Sequence, residues 1–159
     1  LQPDQHFLLG SVLKKQGKYY QAVFWLHVRL IKKVYVKKIL TPFVEKIPLS
    51  WKNYADLKGM FLHGFVEFED SELTESAKFF DITSTVRIVP RICLEFFFTT
   101  RSDIDVVSAG NRAIVVFHFV NDSWFNGPFK TILHNLSRLK AATLGVPVVW
   151  IGHEGLEWF

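Results

Sequence analysis

The first forty positions mix apolar residues with lysines in a way that fits a helical period. Residues 4–15 predict a first helix, broken at Gly17, where a turn tolerates glycine best. Residues 18–40 predict a second, longer helix that stops at Pro42. At about 100° per residue, Val23, Phe24, Leu30, Ile31, Val34 and Tyr35 share one broad side. Lys18, Arg29, Lys32, Lys33 and Lys37 share an opposing arc, which also holds Trp25 and Val36. Residues 41–70 carry Pro42 and Pro48, and Ser50 predicts the cap of a short helix reaching Met60. The acidic stretch Glu67–Glu75 predicts a surface loop leading into a helix over 72–80. From residue 84 the period shortens. Segments 84–89 and 92–99 are rich in Val, Ile and Phe and predict strands. "SDIDVVSAGNRAIVVFHFV" predicts a strand, a turn at 109–111 and a further strand. A helix is predicted over 128–144, opened by Pro128 and closed by Gly145. Residues 147–151 predict a buried apolar strand, and His153–Trp158 a last helical turn.

Of the 159 residues, 49% are apolar, enough for a core, and sixteen phenylalanines and five tryptophans exceed what a core of this size needs. Some of them are expected at interfaces, where aromatics concentrate. The charge is uneven. Residues 1–60 hold eleven Lys/Arg against three Asp/Glu, a net of +8, while residues 61–80 hold one against five. Residues 81–159 balance at seven against seven, so the excess positive charge lies in the first third. That asymmetry predicts a polyanion-binding segment, with a solvated lysine face as the plainer alternative. The chain begins at Leu1, which predicts a processed or truncated product, and no stretch reads as a membrane span.

Few residues point to catalysis. The histidines at 6, 27, 63, 118, 134 and 153 show no zinc spacing. His118, between Phe117 and Phe119, reads as a core histidine. Cys93, the single cysteine, precludes an internal disulfide and reads as a buried structural thiol in an apolar strand. Ser108, Ser123 and Ser137 lack a G-x-S-x-G context, and no phosphate-cradling glycine motif occurs. Phe96–Phe98 run consecutively and predict a strand covered on both faces. Trp124 and Phe125 fall in a loop, where Trp124 reads equally as a stacking platform for a base or as a lid. A second basic group, Lys130, Arg138 and Lys140, shares only a broad helical face.

Leu9-Gly10, Gly17, Tyr19 and Ala22 resemble one tetratricopeptide-type hairpin, without a second copy. The segment from 85 to 159 resembles a RAP domain, a module of organellar RNA-handling proteins with a restriction-endonuclease-like fold. "IDVVSAGNRAIVVFHF" stands where that family has an Asp-bearing strand, a turn and a strand. "SWF" stands at its small-His-Phe step, and "LSRLKAATLGVPVVWIGHEGLEWF" at its helix, Leu-Gly, Val-Val-x-Ile and Glu-Trp. His118 replaces the family's usual Glu, and Val120-Asn121-Asp122 its Asp-Gly-Pro. The resemblance implies an α+β chain in three parts. These are a basic helical hairpin at 1–60, an acidic linker and helix at 61–83, and a restriction-endonuclease-like core at 84–159. That core would run three strands, helix, strand and short helix.

It also implies a non-catalytic RNA-binding subunit of the mitochondrial matrix, built into a mitochondrial ribosome and contacting ribosomal RNA and neighbouring subunits. Neither metal nor cofactor is expected. The residues expected to touch RNA are Lys14, Lys15, Lys18, Arg29, Lys32, Lys33, Lys37, Trp124, Lys130 and Arg138. Arg112, on a neighbouring strand, would add a further phosphate contact. Two rivals remain: a structural subunit of another mitochondrial complex that touches no RNA, and a nuclease using Asp105 and Asp103 as metal ligands on one strand face.

Overall fold

Residues 6–36 are sheet and tight turns, not helix. In a computed structural model, which describes residues 5–42, 45–46, 68–69, 76–108, 111–124 (the side chain of Trp124 excepted) and 127–159, three strands follow in an antiparallel meander. They are β1 (His6–Lys15), β2 (Lys18–His27) and β3 (Leu30–Val36). Two-residue turns join them. Gln16 and Gly17 both have positive φ, as do Val28 and Arg29, the backbone that tight hairpin turns require. Neither the two expected helices nor a tetratricopeptide-type hairpin therefore forms over 6–36. The periodicity misled because β2 is covered on both faces. Val23 packs toward one side and Tyr20 and Ala22 toward the other, which erases the alternation of a half-exposed strand. The aromatic and β-branched content of 19–36 suits exactly such a doubly covered strand.

The described residues from Phe80 onward build a five-stranded sheet in the order β4 (Phe80–Asp81), β5 (Val86–Ile92), β6 (Ala113–Phe119), β7 (Val148–Gly152) and β8 (Gly155–Trp158). The three central strands are parallel and the two outer ones antiparallel to their neighbours. Between β5 and β6 lie two short helices, α1 (Glu95–Phe98) and α2 (Arg101–Val107). The long helix α3 (Pro128–Leu144) connects β6 to β7.

Several expectations hold here. Residues 113–119 and 148–152 are strands, Pro128 opens α3, and Gly145 closes it in the left-handed conformation. Others are corrected. The three consecutive strands expected of a restriction-endonuclease-like core are interrupted, because 95–98 and 101–107 are helical. Thr100 and Asp103 form a reciprocal capping box that starts α2 and overrides the β-branched run behind it. The expected last helical turn is strand β8, which a two-residue turn folds back on β7. Residues 76–79 are not helical, and 72–75 lie outside the described residues, as does the helix expected over 50–60.

Three layers result. The helices cover one face of the five-stranded sheet through Val89, Phe96, Ile104, Val116, Leu144 and Val148. The three-stranded sheet covers the other, with Val23 and Tyr35 against Phe80, Ile88, Ile92 and Phe119. The chain is thus mixed α and β with two stacked sheets. The carboxyl ends of β5, β6 and β7 all open at one edge, the usual place for a ligand site in a parallel sheet.

A candidate active site at the Cys93 turn

Cys93 follows the last residue of β5 and is not part of a strand. Its φ is +52°, a left-handed conformation that costs a non-glycine residue about 1–2 kcal/mol. The chain turns there from strand into α1. Such a strand-to-helix turn with a strained nucleophile at its apex is a recurring way to present a reactive side chain. Phe119 O accepts the Cys93 N–H at 2.7 Å, and Cys93 O accepts from Phe96 N at 3.2 Å and His118 Nε2 at 3.0 Å.

Lys37, just past the end of β3, comes to the same place and is fully buried. Its Nζ donates to both carboxylate oxygens of Glu45, at 2.7 and 2.6 Å, and lies 3.4 Å from Thr41 Oγ1. Glu45, itself buried, also accepts the Thr41 N–H at 2.6 Å. Taking two charges out of water is costly, and a buried pair persists only where its remaining valences are satisfied. Burial pushes the Cys93 thiol up from its ordinary value, while the Lys37 charge, the Leu94 N–H and the Thr41 hydroxyl pull it down and the Glu45 charge opposes them. The buried Lys37–Glu45 pair and the half-buried Cys93 thiol therefore act on one another electrostatically at this turn.

Glu95 ties the two halves of the site together. Its carboxylate accepts Lys38 N–H at 2.9 Å and Ile92 N–H at 3.3 Å, so it bridges the backbone beside Lys37 to the backbone before Cys93. Tyr35, buried in the same region, is held well above the ordinary phenol value by burial and by the Glu95 charge. His118 is completely buried, stacked on Phe96 at 4.2 Å and edge-on to Trp150 at 5.1 Å. Burial lowers it to about 3, so it is neutral at physiological pH, as expected of a core histidine.

At the ends of β6 and β7, Asp122 accepts His153 N–H at 2.7 Å and pairs with Lys130 at 3.3 Å. A Cβ on Gly152 would lie 2.7 Å from the Asp122 carboxylate, so only glycine fits there.

The residues expected to bind RNA scatter. Lys37 is buried in the ion pair and is withdrawn from any phosphate contact. Lys130 is bound to Asp122 and, at 2.7 Å, to Glu154. Lys18 pairs with Glu69 at 3.7 Å, and Lys14 lies over the Tyr19 ring. Arg29 is exposed in the β2–β3 turn, and Arg138 on α3 lies 5.9 Å from the Phe159 ring. Arg112 pairs with Asp81 at 3.4 Å. Trp124 ends a single-turn 3-10 helix, Asp122–Trp124; its side chain lies outside the described residues. Lys15, Lys32 and Lys33 do converge. Together with Lys78 they line a groove of about 660 Å3, lined also by Ile31 and Phe79, with no carboxylate among its described lining residues. Asp103 and Asp105 are helical, so they do not share a strand face. The first caps α2 and the second pairs with Arg101 at 3.0 Å.

Sequence reasoning missed the Cys93 site. Its available signal was "VRIVPRICLE", an apolar strand ending in Cys and followed two residues on by a carboxylate.

No family model and no curated protein matches the chain. Among solved structures, the glutamine-dependent NAD+ synthetase from Acinetobacter baumannii, in complex with ADP, is similar over 91% of this chain and 23% of its own, at a TM-score of 0.56 and 16% identity. The glutamine-dependent NAD(+) synthetase from Cytophaga hutchinsonii is similar over 92% of this chain and 22% of its own, with a TM-score of 0.52 and 14% identity. The chain spans less than a quarter of the length of either, and at these identities the likeness is one of fold.

Proposed function

We propose that Cys93 is the nucleophile of an acyl-transfer or amide-hydrolysing centre. The observation that carries this reading is the left-handed Cys93 turn set against the fully buried Lys37–Glu45 pair. A half-buried thiol beside a buried cation is poorly explained by packing and well suited to covalent catalysis. In the first step the thiol proton passes to Lys37 as Lys37 hands one to Glu45. The sulfur bonds to the carbonyl carbon, and the oxyanion meets the Lys37 charge and the Leu94 N–H. Collapse of that adduct breaks the bond to the amine or alcohol, which leaves with the proton from Glu45. Water or an amine then attacks the thioester, its proton returns through the pair, and the thiol is restored.

The similar solved structures are named for dependence on glutamine, so glutamine is the first amide to test, beside an activated ester. Incubation with p-nitrophenyl acetate should place an acetyl group on Cys93, seen as a mass shift of the peptide that contains it. Lys37→Met should slow that labelling at least a hundredfold. Absence of any adduct on Cys93 with either probe removes the reading.

A second reading rests on the groove lined by Lys15, Lys32, Lys33 and Lys78. Joined to the RAP resemblance, it supports RNA binding within a mitochondrial assembly such as the ribosome, with ribosomal RNA and neighbouring subunits as partners. Its affinity would fall steeply with salt. Retention of RNA by a Lys32→Glu/Lys33→Glu variant at wild-type salt dependence would dismiss it.

A further inference from the structure

We infer that His118 is a positioning residue that aims the Leu94 N–H at the Cys93 sulfur, an inference that rests on the acyl-transfer reading. The peptide unit between Cys93 and Leu94 is planar and trans, so its carbonyl oxygen and its N–H point in opposite directions from one rigid plate. Fixing the oxygen fixes the N–H. His118 Nε2 donates to that oxygen at 3.0 Å, and the Leu94 N–H on the far side reaches the thiol. Strand β6 therefore grips the turn twice from adjacent residues, through the Phe119 carbonyl on Cys93 N–H and through the His118 ring on Cys93 O. Phe96 N–H also reaches this oxygen, but it belongs to the helix that follows and moves with the turn.

The ring is itself held. It is fully buried, stacked on Phe96 at 4.2 Å, edge-on to Phe97 at 5.8 Å and to Trp150 at 5.1 Å, so its Nε2 cannot swing away. Its Nδ1 has no hydrogen-bond partner among the described residues. A buried acceptor without a donor destabilises a fold, and an apolar side chain of similar size would pack there without that cost. A histidine kept in an aromatic cage for packing alone is thus the poorer choice; a histidine that must orient a peptide plate is not. The expected signature is a loss of reactivity without a loss of stability.

The test compares wild type, His118→Leu and His118→Gln in p-nitrophenyl acetate labelling of Cys93, iodoacetamide alkylation of Cys93 and thermal melting. Iodoacetamide forms no oxyanion, so it reports only the smaller part the Leu94 N–H plays in holding the thiolate. His118→Leu should melt no lower than wild type and alkylate within about threefold of it, yet acylate about tenfold more slowly. His118→Gln, whose amide can still donate to Cys93 O, should recover most of the acylation rate. Acylation of His118→Leu at the wild-type rate overturns the inference. So does a parallel fall in acylation, alkylation and melting temperature, which would mark a structural role. If wild type alkylates at Cys93 but never acylates there, the acyl-transfer reading fails, and this inference with it.

Discussion

Lysines on and just past one strand, β3, meet opposite fates. Lys32 and Lys33 stay at the surface beside a groove whose described lining residues include no carboxylate, whereas Lys37 is sealed in the interior on Glu45. The difference is local geometry. Lys32 and Lys33 lie on the edge strand of the smaller sheet, where solvated lysines are ordinary and also guard against unwanted pairing. Lys37 follows the strand's end, where the chain passes beneath the Cys93 turn and Glu45 folds back to meet it. A lysine run in a sequence is thus not one functional unit, and burial is what separates a solvated charge from a chemical one.

The largest effect should come from breaking the buried pair. Lys37→Met strands the Glu45 carboxylate and should cost about 3–5 kcal/mol, while Lys37→Met with Glu45→Leu should recover most of it. Urea unfolding of the two variants decides this; equal losses in both would mean the pair is not the sealed unit it is taken for.

The pH dependence sharpens the contrast next. His118 falls to about 3 in the fold and sits near 6.5 in the unfolded chain. Between those values the unfolded chain binds a proton that the folded one refuses. Stability is therefore full above pH 6.5 and declines as the pH falls toward 3, by up to about 1.4 kcal/mol per unit. Chemical denaturation across that range should show a slope that His118→Leu reduces, most clearly above the range where the lowered carboxylates of Asp81, Asp103 and Asp122 begin to titrate.

A smaller effect, of opposite sign, is expected at the turn. Cys93→Gly relieves the left-handed backbone and should stabilise the chain by about 1 kcal/mol, measured as a raised urea midpoint, while abolishing acylation. At the surface, Lys32→Glu/Lys33→Glu should change stability by no more than about 0.5 kcal/mol. It should weaken RNA binding, if RNA binds, by a factor that shrinks as salt is added.

Much of the second half was legible. β6, α3 and β7 carry unambiguous signals: a run of branched and aromatic residues, a proline start, a glycine stop and a short apolar strand. β2 was misread because a strand covered on both faces has no period of two to detect, and the basic residues from Lys18 to Lys37, spread over β2, the following turn and β3, happened to fall on one helical arc. α2 was misread because Ile104, Val106 and Val107 outweighed the Thr100–Asp103 capping box. The site was illegible for a different reason. Lys37, Glu45 and Cys93 meet only once the two sheets stack, and a single cysteine in an apolar stretch gives no local hint of the cation beside it. Glu95, two residues on, was in view but had no partner in the sequence to give it meaning.

The two-residue turns of the first sheet also order events in time. A meander closed by such turns has only short loops to close and can form in microseconds, whereas β5, β6 and β7 must wait for their crossover helices before they pair. Lys37 arrives with the early sheet and Cys93 with the late one. The cation and the thiol are therefore expected to meet at a late docking step, with the nascent thiol an ordinary cysteine until then. The fall in its reactivity as burial raises the thiol would serve as a stopwatch for the completion of folding, read with a thiol reagent in a stopped-flow experiment at the chain's only sulfhydryl.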